Sequence, residues 1–231
     1  MQRQLLKFKQ VASTQDVLKK LIKNKNEVAV FAYRQTKGRG RHNREWFSPL
    51  GGLYLSILIF PEKHPDLIPL IAALSVIEAL KGFHFNNLAI HWPNDVILNN
   101  KKICGILCER DGKALICGIG LNVNIRKFPP KISNATSLFM ETGRIYNLEN
   151  LLNLILKNFW FFYDILQNDR FKIKDAYQYI SGIGESVEIK LSSRKVIRGI
   201  IHNVDEDWGL LVRTEDGLIK RIYHGDVVRL S

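Results

Sequence analysis

Apolar positions recur along this chain at two periods, and the switches between them outline a fold. Val17, Leu18, Leu21 and Ile22 follow Ser13 and Thr14 at helical spacing, which predicts a helix begun by a hydroxyl cap. The run over 27–33 (EVAVFAY) is nearly all apolar, as expected of a strand buried on both faces. A second such strand, 52–60 (GLYLSILIF), halts at Pro61. Pro65 opens a predicted helix reaching about residue 80, rich in Leu, Ile and Ala. Short strands are expected over 88–92, ending at Pro93, then over 96–98 and 103–109, joined by an Asn99-Asn100 turn. Asp111-Gly112 turns the chain into a strand over 114–124, loosened by Gly118 and Gly120. The longest helical pattern, 148–167, carries Trp160, Phe161, Phe162 and Tyr163, bulk suited to core packing.

The texture changes at Gly182-Ile183-Gly184. Five short alternating runs follow (SVEIKL, KVIRGIIHNV, GLLVRT, LIKRIY and DVVRL), with turns at Asp205-Glu206-Asp207-Trp208-Gly209 and Glu215-Asp216-Gly217. Five strands in so short a span predict a small closed barrel, SH3-like in size. The expected fold is therefore α+β. A mixed, largely antiparallel sheet backed by helices occupies 1–182, and a small β-barrel occupies 183–231.

The composition narrows the function classes. A chain of 231 residues that is 46% hydrophobic can bury a sizeable core, and its net charge of +12 suits an acidic partner without saying which. The three cysteines, Cys104, Cys108 and Cys117, are odd in number and lie in apolar runs, so they read as reduced core residues of a cytoplasmic protein. No Cys/His pair has zinc spacing, so no metal site is assigned. No apolar stretch approaches the ~18 residues of a membrane span.

The densest chemistry is Lys37-Gly38-Arg39-Gly40-Arg41-His42-Asn43-Arg44-Glu45-Trp46. Two glycines allow close backbone approach to a ligand, and three guanidinium forks suit carboxylate and phosphate oxygens. A solvated basic turn is the plainer alternative. Three further elements stand out. His91-Trp92-Pro93-Asn94-Asp95 presents an amide and a carboxylate at strand ends. Lys101-Lys102-Ile103-Cys104-Gly105-Ile106-Leu107 sets a lysine at the mouth of an apolar strand, and Gly118-Ile119-Gly120-Leu121-Asn122-Val123-Asn124 alternates small, apolar and amide residues. Each alone could be merely structural.

Taken in order with Ser13-Thr14-Gln15 and Gln35-Thr36, these elements resemble the biotin–protein ligases over roughly residues 10–125. The resemblance implies a class II synthetase-like sheet and a two-step reaction. Biotin carboxylate attacks the α-phosphate of ATP, giving biotinyl-5′-adenylate and pyrophosphate. A lysine of a biotin carboxyl carrier protein domain then attacks the mixed anhydride, and AMP leaves. It further implies Ser13, Thr14, Gln15, Gln35, Gly38, Arg39, Gly40, Arg41, Lys102 and Gly105 for biotin, and Arg41, Arg44, Trp46, Lys102 and Asn122 for ATP. Lys102, Arg41 and Asp95 are the expected catalytic groups, Asp95 orienting or deprotonating the incoming lysine. Mg²⁺ is expected to arrive with ATP.

The match departs from the family in places. Members usually carry lysine where this chain has His91, and Gln15 replaces a frequent asparagine. No aromatic stacker is assigned over 127–137, where an adenine-covering loop would lie. Some members begin with a winged helix-turn-helix. The helix at Ser13 starts almost at once, so the expectation here is a ligase without repressor function or DNA partner, either monomer or homodimer. Strands 51–60 and 114–124 are a possible dimer surface. The nearest rival is a lipoate or octanoate attachment enzyme of the same architecture. A basic nucleic-acid-binding module, with Trp208 and Tyr223 available for stacking, is the rival of another class.

Overall fold

The computed structural model describes residues 3–169, 173, 177–191, 193 and 195–229. Its centre is β3 (Leu53–Ile59), a strand buried at all of its positions. Such a strand has no solvent-facing side, which is why its sequence is a continuous apolar run rather than an alternating one. It pairs antiparallel with β2 (Val28–Ala32) on one edge and β7 (Ala114–Leu121) on the other. The full sheet adds β1 (Gln4–Phe8), β4 (Leu88–His91), β5 (Asp95–Leu98) and β6 (Lys101–Asp111) in the order β1-β2-β3-β7-β6-β5-β4. Only β1 runs parallel to its neighbour, so the sheet is mixed and largely antiparallel, as expected.

Helices α2 (Ile68–Lys81) and α4 (Leu148–Asn168) pack on each other and on one face of this sheet. Their partners are the alternate residues Leu53, Leu55, Ile57 and Ile59 of β3 and Leu115, Cys117, Ile119 and Leu121 of β7. On the opposite face the short helix α1 (Thr14–Lys19) covers Val28, Val30, Leu58, Ala114 and Ile116 with Leu18. Burying such side chains is worth ~1.5–3 kcal/mol each. Beyond α1 that face continues as Ser56 and Tyr54 on β3 and as Gly118 and Gly120 on β7. Apolar bulk stops and a hollow begins. The two glycines therefore do more than loosen β7. They remove side chains from one face while the other face stays packed.

The second sheet contains β8 (Ser186–Lys190), β9 (Val196–Val204), β10 (Leu210–Arg213), β11 (Ile219–Ile222) and β12 (Asp226–Arg229), ordered β11-β10-β9-β8-β12. The five expected strands are present and antiparallel. Among the described residues no ladder joins β11 to β12. One continuous apolar cluster runs from Ala29 through Ile180 to Ile222, so the two sheets share a core. Two indoles fasten the joint: Trp92 Nε1 donates to Trp208 O at 2.8 Å, and Trp208 Nε1 donates to Pro93 O at 3.0 Å.

Several expectations need correction. Trp208 is 4% exposed and lies against Tyr177, so it offers no stacking face to a nucleic acid. Phe161 is 60% exposed; the neighbours Phe159 and Tyr163 turn inward instead, because a helix shows one residue in three or four to the core. Strand β3 is flanked on both edges and fully buried, which leaves it no surface for a second copy. Strand β1 and the five-residue helix α3 (Leu138–Thr142) are too short to carry a periodicity that sequence could register.

Candidate active site

The hollow left by Gly118 and Gly120 is a cavity of about 440 Å³ whose walls come from both sheets and from the long loops around them. One row of cross-strand neighbours forms its floor. Tyr54 pairs with Gly120, Gly120 with Gly105, and Gly105 with Asp95. Directly opposed residues share a face, so the two glycines lie side by side between a tyrosine and a carboxylate. The Trp46 indole rests on that pair. A Cβ at Gly105 would stand 2.8 Å from the ring, and one at Gly120 would overlap it. The space over Gly105, a residue expected at biotin, is thus occupied by Trp46.

One end of the cavity is a closed hydrogen-bond network. Thr14 donates to Gln35 Oε1 through its backbone N–H (2.9 Å) and its hydroxyl (3.1 Å), and that hydroxyl lies 2.7 Å from Ser56 Oγ. Gln35 Nε2 donates to Ser48 Oγ at 3.1 Å, and Ser48 donates to Trp46 O at 2.8 Å. Gln15 Nε2 donates to Leu107 O at 3.0 Å. Ser13, Thr14, Gln15 and Ser56 are all buried. The helix does begin at Thr14, yet Ser13 makes no side-chain cap bond; these hydroxyls serve the cavity instead. Ser56 was missed in the sequence because a lone serine inside GLYLSILIF gives no periodic signal.

Charge gathers at the other end. Lys102 Nζ lies 2.6 Å from Asp95 Oδ2 and 5.2 Å from the centre of the Trp46 ring. The backbone of Lys102 is gripped by the segment after β7: its N–H donates to Asn134 O, and its carbonyl accepts from Thr136 N–H. Asn94 donates to Ile106 O at 2.6 Å and accepts from Arg41 Nη1 at 3.2 Å. The Gly/Arg loop is tied across its own stem, with Trp46 N–H donating to Gly38 O and Gly40 N–H to Arg44 O. It turns at His42 and Asn43, both in the left-handed region, where asparagine is among the better tolerated non-glycine residues. Arg44 Nη2 reaches Asp226 Oδ2 at 2.6 Å, which brings β12 to the cavity. Nothing in the sequence could have found Asp226, more than 180 residues from its partner.

Among the described residues, three buried polar atoms at this site, Trp46 Nε1, Asp95 Oδ1 and Asn122 Oδ1, have no hydrogen-bond partner within the chain. A buried donor or acceptor left unpaired costs ~1–3 kcal/mol. Clustering three of them in one cavity marks a place built for something else to bind. Asn122 is fixed for the purpose, with its Nδ2 donating to Thr136 O at 3.0 Å.

Most of the expected residues converge here. Ser13, Thr14, Gln15, Gln35, Arg39, Gly40, Arg41, Arg44, Trp46, Asp95, Lys102, Gly105 and Asn122 all line the cavity. Gly38 does not. It is packed at the loop base, where a Cβ would collide with Ser48 and Trp46 O. Arg39 touches the wall, but its guanidinium is spent on Asp16 (2.7 Å) and Glu109 (3.2 Å). Those carboxylates raise its pKa above the ordinary arginine value. Asp16 is held below the usual carboxylate range by the hydrogen bond from Arg39. Burial pushes Glu109 up, but hydrogen bonds from Arg39 and Lys19 outweigh it and leave a net lowering. His91 stands opposite Asp95 without lining the cavity. Over 127–137, where no aromatic was assigned, Phe128 lines the wall beside Phe47, edge to face at 6.1 Å. Lys131 joins it by pairing with Glu45 at 2.7 Å.

Comparisons with known proteins agree with this geometry. Residues 7–125 match the Biotin/lipoate A/B protein ligase family, and residues 182–230 match the Biotin protein ligase C terminal domain. The chain is 32% identical to the bifunctional ligase/repressor BirA of Bacillus spizizenii, over 94% of this chain and 71% of that one. It is 30% identical to the biotin–[acetyl-CoA-carboxylase] ligase of Paracoccus denitrificans, over 81% and 85% respectively. Among solved structures, the biotin protein ligase from Aquifex aeolicus in complex with biotin and ATP superposes with a TM-score of 0.89 at 34% identity, covering 98% of both chains. The chain belongs to the biotin/lipoate protein ligase family, on the biotin protein ligase branch that carries the C-terminal domain.

Proposed function

We infer that this protein is an ATP-dependent biotin–protein ligase. It joins biotin to ATP as biotinyl-5′-adenylate, releasing pyrophosphate, and passes the biotinyl group to a lysine amine, releasing AMP. One observation carries the reading beyond family membership: a buried hydroxyl and amide network and a cluster of cations open onto a single cavity from opposite ends, with Trp46 and the glycine floor between them. Biotin has a polar ureido head, an apolar tail and a carboxylate, and that succession fits the cavity end to end.

In our reading the ureido head lies at Ser13, Thr14, Gln35 and Ser56, where buried partners already hold the donors and acceptors in place. The carboxylate then points toward Lys102. Carboxylate and triphosphate repel one another, so cations must hold both and stabilise the charge that grows as the new bond forms. Lys102 and Arg41 are positioned for the reacting groups, Arg44 for the outer phosphates, and Asn122 and Trp46 for the nucleotide. Asp95 keeps Lys102 in place through Oδ2, while its unpartnered Oδ1 is free to accept a hydrogen bond from the incoming amine and favour its attack. Among the described residues no three potential ligands group into a metal cage. Single carboxylates beside a triphosphate site fit a Mg²⁺ ion that enters with ATP and keeps most of its own waters; bound there, it would neutralise phosphate charge.

The carrier domain as partner, a division of the chain near residue 182 and a reducing, cytoplasmic setting for three free thiols belong to the same proposal. No helix of the described residues is long and apolar enough to cross a membrane. Incubation with ATP, Mg²⁺ and biotin should release pyrophosphate and yield a tightly held adenylate. Release with lipoate in place of biotin, and none with biotin, would overturn the assignment.

A further inference from the structure

Asp226 opens β12 and faces the cavity from the second sheet. Its carboxylate gathers side chains of the Gly/Arg loop: Arg44 Nη2 at 2.6 Å on one oxygen, and on the other Arg41 Nη1 at 3.6 Å and the His42 ring at 3.9 Å. Arg41 Nη2 also donates to Gly225 O at 3.2 Å. Gly225 itself packs so close to β8 that a Cβ there would stand 2.7 Å from Ile189. A carboxylate offers a guanidinium fork the same pair of oxygens as a phosphoryl group. Arg41 and Arg44 are the side chains we assign to the triphosphate, and one set of donors cannot serve both acceptors at full strength.

We propose that Asp226 is a positioning residue that stands in for phosphate. It holds Arg41 and Arg44 over the cavity before nucleotide arrives and yields them to the triphosphate. Once pyrophosphate has left it takes them back, keeping the loop closed on the adenylate until the carrier lysine enters. This rests on the ligase reading above. It predicts opposite effects on two readouts. Competition weakens apparent ATP affinity, whereas recapture slows loss of the adenylate. A merely structural residue would worsen both when removed.

The test is Asp226→Asn, which keeps size and an acceptor oxygen but removes the charge. Pyrophosphate release is followed against ATP concentration, and dissociation of preformed biotinyl-adenylate is timed. The KM for ATP should fall, and the adenylate off-rate rise, by about three- to tenfold each, the scale of one partly exposed charged contact. An unchanged or higher KM, or an unchanged or slower off-rate, overturns the proposal. Asp226→Ser is read in the same way should the first variant not fold. Asp226→Glu should bring both values back toward those of the unaltered protein. If the unaltered protein releases no pyrophosphate from biotin and ATP, the ligase reading itself fails. If it does, and the variants leave ATP dependence unmoved, only the role of Asp226 falls.

Discussion

The two ends of the cavity are built on opposite principles. At the hydroxyl end Ser13, Thr14 and Ser56 are no more than 3% exposed, and Thr14, Gln35 and Ser56 bond to one another and to Ser48. At the cationic end Arg44, Lys131 and Glu45 are 69%, 67% and 65% exposed, and their contacts cross from loop to loop and from one sheet to the other. A buried, preformed network recognises a neutral head group at little reorganisation cost, because an ill-fitting ligand leaves a donor or acceptor unpaired. An exposed, exchangeable set of ion pairs binds more weakly in each contact, but it can trade one anion for another. Recognition and chemistry are therefore assigned to different kinds of structure.

Four changes would break or sharpen this contrast. Lys102→Gln should have the largest effect. It removes the cation at the reacting centre, so pyrophosphate formation should fall by about 10²–10³-fold, the scale of losing one preorganised electrostatic contact, with biotin binding changed far less. Rapid-quench measurement of the first turnover checks it. Next is Asp95→Asn, for which transfer of the biotinyl group to a carrier domain should drop by roughly 10²-fold while adenylate formation falls less. Equal losses in both steps would reduce Asp95 to a prop for Lys102.

Thr14→Val deletes one hydroxyl at the rigid end and leaves Gln35 Oε1 and Ser56 Oγ each short of a partner. The KM for biotin should rise by about 10- to 100-fold, matching ~1–3 kcal/mol, and the KM for ATP should stay put. Movement of both constants together would mean that the two ends are not separable. Arg39→Ala should do least. Its carboxylate partners carry lowered pKa values, so the stabilisation is present above their ordinary pKa and lost as pH falls through and below ~4. Both partners are partly exposed, so the gain is about 1 kcal/mol or less. The thermal midpoint of the variant should lie a few degrees below the unaltered protein at pH 7, and the gap should narrow as the pH falls below ~4. A large rise in the KM for biotin would instead return Arg39 to the ligand.

The sequence was most legible where a residue's job is local. Gly38 to Trp46 could be read as a loop, Pro65 as a helix start and Asn99-Asn100 as a turn, because each depends on nearby backbone geometry. The long apolar strands followed from alternation or its lack. Site residues were found where several sat in one short motif, as in Trp92-Pro93-Asn94-Asp95. Ser56, Phe128 and Asp226 escaped because each acts alone, and its neighbours in space lie far off in sequence. A motif names Gly38 and Arg39 without saying that one packs at the loop base and the other sends its guanidinium to two carboxylates.

What the chain alone determined was its inventory: which segments are strands or helices, that a basic glycine loop exists, and that a lysine, a carboxylate and a hydroxyl pair are available. Those follow from backbone preference and apolar period, which act within a few residues. Tertiary structure decided the rest. It set Gly105 beside Gly120 as a floor for an indole, committed Arg39 to two carboxylates, and brought Asp226 from the second sheet to the arginines. Pairing register and domain packing are settled by burying one shared core, and no stretch of sequence contains that information by itself.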